Sequence, residues 1–200
     1  SSREARKSEE NGRNDTLKEG AETVISTNCR KPSVYFHSES GMVLDRNLVA
    51  LSINDSTCQA GFFLQERYLE LSNYRSEYVF PSTVTIMRER TAVCDSYSLK
   101  HFPQYTIQHA YRLLGKRASD PEVEEERQRN PIPIHANAEG EVVFELNEEE
   151  WSPRDVVKRI ARYLIDECQK RMKSPVEQCV LSVPDHLTQE EQDRVKRIVE

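Results

Sequence analysis

Apolar residues are sparse at the start of the chain and regular after it. Residues 1–20 carry ten charged side chains and a single large apolar one, Leu17, so burial there cannot offset the entropy lost on ordering. Residues 1–30 are therefore expected to be a disordered charged tail, with residues 31–47 a linker or extension. Beyond that point periodicities appear. An apolar run from Asn47 through Ile53 is followed by polar Asn54, Asp55, Ser56 and Thr57, then by Ala60, Phe62, Phe63 and Leu64. That pattern predicts two strands joined by a tight polar turn. A third strand is expected around Tyr68, Leu69 and Leu71, and the Pro81-Ser82 step leads into the alternating run Thr83-Val84-Thr85-Ile86. Pro81 belongs at a strand start or edge, because it cannot donate to a ladder.

Downstream the period changes to that of a helix. Residues 104–117 hold Ile107, Ala110, Tyr111, Leu113 and Leu114 with Gly115 beyond, which predicts a short helix with a left-handed stop. Asp120 to Arg129 is charged with one apolar residue, Val123, and reads as a solvated helix or loop. Ile132 and Ile134, then Asn137 to Gly140, then Val142 to Leu146 make a hairpin. The strongest helix is expected at 152–172, where Ser152 can cap, Pro153 fits the first turn, and Val156, Ile160, Tyr163 and Leu164 share a face. Glu148 to Glu150 precede it and Lys170, Arg171 and Lys173 close it, as the helix dipole favours. Cys179 to Val183 reads as a strand ended by Pro184, and Thr188 with Glu191 as a capping box opening a last helix.

Composition removes several kinds of chemistry. The six glycines never come closer than eight positions apart, so no glycine-rich cradle can bring several backbone N–H groups onto one anion. A net charge of −6 and the lack of a basic stretch interleaved with aromatics give no indication of nucleic-acid binding. No apolar run approaches the ~18 residues of a membrane span, which predicts a soluble or peripherally attached protein. The first residues hold neither a signal-peptide core nor an initiator Met, as in a processed chain or a segment of a longer one. Cys29, Cys58, Cys94, Cys168 and Cys179 show no metal-ligand spacing and read as small buried residues in a reducing compartment, cytoplasmic or mitochondrial matrix. The five histidines lack zinc-site spacing, so no metal site is expected. Asp95, His101 and a serine could form a triad on paper, but no nucleophile elbow accompanies them. Glu124 to Glu126 reads as a solvated face.

Four segments in order carry a resemblance. Val49-Ala50-Leu51-Ser52-Ile53-Asn54-Asp55-Ser56 is similar to VGIDLGTT, Phe80-Pro81-Ser82-Thr83-Val84 to TPSYV, Ala110-Tyr111-Arg112-Leu113-Leu114-Gly115 to AKRLIG, and Val183-Pro184 through Gln192 to VPAYFNDSQR. Together they resemble the first half of the nucleotide-binding domain of the heat-shock protein 70 (DnaK-like) family, over about residues 48–200. The resemblance implies an α/β, actin-like ATPase (ribonuclease H-like) fold, first lobe only, with a mixed sheet, flanking helices and an inserted hairpin subdomain.

The departures from the family pattern bear on function. The resemblance places the metal-supporting aspartate at Ser52, the phosphate-loop glycine at Asn54, the two threonines at Asp55 and Ser56, and the catalytic lysine at Tyr111. Only Ser56 keeps equivalent chemistry. Asp55 sets an anion beside anions, which at ~4 Å costs about 1 kcal/mol in bulk water and several times that near a protein surface. Tyr111 carries no cation to stabilise charge developing on a transferred phosphate. No catalytic residue is therefore carried over, and Asn54, Asp55, Ser56 and Thr57 form at most a remnant phosphate turn. The alternative reading of the same residues is an ordinary polar hairpin turn with Tyr111 packed on the core. Two functions follow from the resemblance: a degenerate member acting as a binding or scaffolding component of a chaperone system or large assembly, or a piece of an ATP-dependent chaperone. The first expects protein partners and no cofactor; ATP or ADP with Mg enters only with a second lobe.

Overall fold

Five apolar residues with Ser52 among them, a three-residue polar break and a second apolar run fold back on themselves as β2 (Leu48–Ile53) and β3 (Thr57–Leu64), antiparallel, with Val49 opposite Phe62 and Ile53 opposite Cys58. The computed structural model describes residues 22–28, 47–64, 67–184 and 187–199. Ahead of the hairpin, β1 spans Glu22–Asn28, and beyond it β4 (Arg67–Glu70) extends the ladder from β3. β5 (Phe80–Pro81) pairs with the other end of β3, at Cys58 and Thr57. The last strand, β12 (Gln178–Pro184), lies between β1 and β2, antiparallel to the first and parallel to the second. The sheet order β1-β12-β2-β3-β4 is thus mixed.

Glu22–Asn28 belongs to the stretch expected to be a charged tail; the Thr-Val-Ile-Ser-Thr run at its centre is β-branched enough to hold a strand against β12. The remainder of residues 1–46 lies outside the described residues, as do Gln65, Glu66, Asp185 and His186.

Two small three-stranded sheets flank the large one. In the first, β6 (Val84–Met87) is flanked by β7 (Arg90–Val93) and β8 (Thr106–Ile107). The buried Thr85 and Thr106 hydroxyls share a hydrogen bond of 2.8 Å across it. Between β7 and β8 runs α1 (Ser96–His101). In the second, β9 (Ile134–Ala136) and β10 (Val142–Leu146) form the expected hairpin, whose turn is held by the Asn137 side chain accepting from Glu139 and Glu141 backbone N–H. A further strand, β11 (Glu149–Trp151), returns through Asn147 and Glu148, both at positive φ as a two-residue hairpin turn demands. Glu149 and Glu150 therefore sit in a strand, and the acidic group at the following helix N-terminus is Asp155.

That helix, α3 (Pro153–Met172), runs where the periodicity places it and packs across β2 and β3, burying Val156, Val157, Ile160, Ala161 and Leu164. The Ser152 hydroxyl accepts the Asp155 N–H at 3.1 Å and donates to its carboxylate at 2.7 Å. Ser152→Ala is expected to cost about 1 kcal/mol of stability, read from urea unfolding midpoints; an unchanged midpoint would mean the cap is idle. α4 (Gln189–Val199) closes the chain against α3, β1 and β12, and its capping box is in place, with Thr188 N–H donating to the Glu191 carboxylate at 2.8 Å.

The helix predicted over 104–117 is not formed. Pro103–Tyr105 and Tyr111–Leu113 are separate 3-10 turns, because Thr106–Ile107 between them is recruited to β6 and His109 takes a φ of 59° that no α-helix tolerates. Gly115 does supply the left-handed stop, with φ 69°. A Cβ there would also meet Glu191 Oε1 at 2.7 Å, so the glycine lets the turn approach α4.

Candidate functional site

The β2–β3 turn gathers five of the residues singled out from the sequence. Asn54 N–H donates to the Thr57 carbonyl at 2.8 Å, closing the turn, and Ser82 N–H donates to the Ser56 carbonyl at 3.0 Å, tying it to the strand entry at Pro81. Ser52 lies in the ladder opposite Gln59, half-buried; Asn54 and Asp55 are half-buried, while Ser56 and Thr57 are exposed. The sixth, Tyr111, is 7 % exposed in its 3-10 turn and belongs to the core cluster.

Below the turn lies an ion cluster that the sequence did not reveal. α2 (Pro121–Arg129) has the charged face expected of a solvated helix, yet Glu126 on it is fully buried. Its carboxylate receives Arg129 Nε at 2.6 Å, His109 Nδ1 at 3.0 Å and Arg112 Nη1 at 3.4 Å. Arg112 also reaches Glu125 at 2.5 Å. Burial pushes the Glu126 carboxyl up, but the hydrogen bonds from Arg129 and His109 and their charges outweigh it and hold the group below its ordinary value. Asp55 responds to the same charges. Burial raises its carboxyl above the ordinary value against the pull of His109, Arg112 and Arg129, and Glu126 adds to the rise. Its Oδ1 is buried and has no hydrogen-bond partner among the described residues. Asp55, His109, Arg112, Glu126 and Arg129 thus form one electrostatic unit. The sequence signal for it was a single apolar residue, Val123, followed three positions later by a glutamate on the same helical face.

The remaining candidates are structural. Asp95 caps α1, accepting from Ser98 N–H at 3.1 Å, and His101 stacks on Tyr97 with ring centroids 4.0 Å apart, so the paper triad is not assembled. Among the described residues no three His, Cys, Asp or Glu side chains converge as metal ligands, and no helix is long and apolar enough to cross a membrane. Cys58, Cys94, Cys168 and Cys179 are buried, and none of them is in a disulfide.

Comparison with known proteins bears on the same residues. The family model described as "Hsp70 protein" matches residues 56–198, which includes Tyr111 and begins just after Ser52, Asn54 and Asp55. The chain is 25% identical over 129 residues to the mitochondrial-type heat shock protein 70 of Encephalitozoon cuniculi, covering 63% of this chain and 22% of that protein. It is 22% identical over 149 residues to heat shock 70 kDa protein 16 of Arabidopsis thaliana, with 71% and 19% covered. With the chaperone protein DnaK of Thermus thermophilus it shares 28% identity over 123 residues, covering 57% and 18%. The chain therefore spans about a fifth of the length of the relatives it matches. A mixed sheet with flanking helices and an inserted hairpin, matched over most of its length by that family model, makes the chain a member of the Hsp70 family with its actin-like ATPase fold.

Proposed function

We propose that this chain is a catalytically degenerate Hsp70 relative that acts as a binding or scaffolding component of a chaperone system or larger assembly and does not hydrolyse ATP. The observation that carries the reading is Tyr111. It lies inside the family match, at the position where the AKRLIG resemblance puts the catalytic lysine, and its ring is packed into the core. A buried phenol offers no positive charge to a phosphoryl group in transfer.

The turn supports the same conclusion. A magnesium polyphosphate fits these residues poorly: Asp55 is a carboxylate where the resemblance expects a phosphate-facing threonine, Asn54 adds a side chain where a glycine would let the backbone close, and Ser52 has no carboxylate to help hold a cation. The two arginines that act on Asp55, Arg112 and Arg129, already serve Glu126. What is left is a rigid lobe. The relatives named as chaperones act on proteins, and protein partners are the reading we carry to this chain. Its buried cysteines, none of them in a disulfide, support a reducing compartment, cytoplasm or mitochondrial matrix.

Isothermal titration of the full-length protein with Mg·ATP, with phosphate release followed in parallel, is expected to show neither micromolar binding nor turnover. Measurable turnover would sink the proposal. The reverse variant carrying Ser52→Asp, Asn54→Gly, Asp55→Thr and Tyr111→Lys together is expected to raise nucleotide affinity about tenfold or more, some 1.4 kcal/mol. An unchanged affinity would count against the positions assigned to the site.

A further inference from the structure

β3 and the segment entering α1 meet at two cysteines that are far apart in the chain. Cys58 Sγ and Cys94 Sγ lie 3.4 Å apart and share a hydrogen bond. Both side chains are buried, 1 % and 5 % exposed. Each backbone is held independently. Cys58 is paired with Ile53 of β2 and Phe80 of β5, and Cys94 N–H donates to the Thr83 carbonyl at 2.9 Å. Cys94 has a φ of 55°, the left-handed region that an L side chain occupies only at a cost. In the reduced protein that cost is set against a thiol–thiol hydrogen bond, one of the weakest available. Both side chains pack in the core, and within it each sulfur has the other as a near neighbour, a spacing that a covalent bond needs only a short movement to close.

We infer that Cys58 and Cys94 form an intrachain disulfide when the protein meets a peroxide-class oxidant. The sulfurs must close to about 2.05 Å, a movement that side-chain rotation and a small shift of the Cys94 segment supply. The Cys58 hydrogen bond and burial push the Cys94 thiol well above its ordinary value, so it loses its proton to solvent only when its segment opens locally, and the thiolate then attacks one peroxide oxygen. The O–O bond breaks, leaving a sulfenic acid on Cys94 and hydroxide, which takes up the released proton to become water. Cys58 then attacks the Cys94 sulfur; the S–O bond breaks and the oxygen leaves as a second water with the Cys58 proton. In sum, two thiols and one hydrogen peroxide give one disulfide and two waters, each sulfur being oxidised by one electron equivalent and each peroxide oxygen reduced by one. The near-complete burial of both groups makes the reaction slow and dependent on local opening of the Cys94 segment, and it also shields the product from reductant. The bond would join the strand that leaves the Asn54–Thr57 turn to the N-terminus of α1, so oxidation fixes the turn against the small β6–β7 sheet.

The test uses the 200-residue chain treated with hydrogen peroxide, alkylated without reduction and digested. The expected product is a cross-linked peptide pair containing Cys58 and Cys94, with the intact chain lighter by both thiol hydrogens and still monomeric on a non-reducing gel. The oxidised protein should melt roughly 5–10 °C higher than the reduced one, the closed loop being long enough to constrain the unfolded chain. Cys58→Ala and Cys94→Ala should each abolish the cross-link and the thermal shift. Should either variant fail to fold, the wild-type peptide map decides alone. A wild-type chain that stays fully reduced, or that oxidises only through other cysteines or between chains, overturns the inference.

Discussion

Glu126→Ala is expected to lower the unfolding free energy by about 3 kcal/mol, measured by urea denaturation at neutral pH. The side chain is wholly buried and is the common acceptor for Arg129, His109 and Arg112, which come from two different segments. Removing it strands the Arg112 and Arg129 guanidinium groups beside one another and leaves His109 without its acceptor. They retain partial access to water, which keeps the loss at the lower end of what breaking a buried pair costs. The same residue sets part of the acid sensitivity. Its carboxyl is held below the ordinary value near 4.5 in the folded chain, despite burial, by hydrogen bonds from Arg129 and His109. A group whose folded pKa is depressed contributes its stability above the unfolded value and loses it as pH falls through the folded one. Wild-type stability should therefore drop below about pH 4.5 more steeply than that of Glu126→Gln, which has no such proton to take up. Equal acid limbs, or a Glu126→Ala loss under about 0.5 kcal/mol, would show that the cluster is not coupled to folding.

Phe144→Ala should cost about 3–5 kcal/mol, the largest effect expected of any single truncation in the inserted sheet. Phe144 is the central residue of β10, opposite Ile134 on one side and Trp151 on the other, and none of it is exposed. It belongs to the main core cluster and so fastens the three-stranded insertion to it. Native-state hydrogen exchange gives a second readout: the variant should lose protection in β9 and β11 before the large sheet. Simultaneous loss everywhere would mean that the insertion has no stability of its own.

Elements whose signal is local were legible in the sequence. Ser152-Pro153 ahead of a 3.6-residue stripe places α3, Asn137 through Gly140 places the β9–β10 turn, and Thr188 with Glu191 places α4, because each cap or turn is made by residues within four positions of one another. What escaped depends on partners far along the chain. The apolar pattern of residues 104–117 is helical, but its periodic residues are claimed singly by other elements, Ile107 by β6 and the Tyr111–Leu113 turn by the core. Glu126 reads as one more acid in a charged run; its buried position is tolerated because His109 and Arg112 approach from another segment to join Arg129 of its own helix. Of the site, the turn itself was legible because a hairpin is a short-range object. The charged partners that surround Asp55 were not, since two segments far along the chain, residues 109–112 and α2, deliver them.

The placement of β12 between β1 and β2 has a consequence for the order in which the chain folds. Its two neighbours are both made long before it, and one of them, β2, is joined to it by the only parallel pairing among the described strands. Until β12 has been synthesised, the β2–β3 hairpin presents an open apolar strand edge that, among the described strands, only β12 completes. Closing that edge requires a long-range search, the slowest kind of contact to form. Refolding should therefore show a late phase in which the large sheet and α4 consolidate together, well after the hairpins and α3. During that interval the open β2 edge is the part of the molecule most prone to pair with a foreign strand.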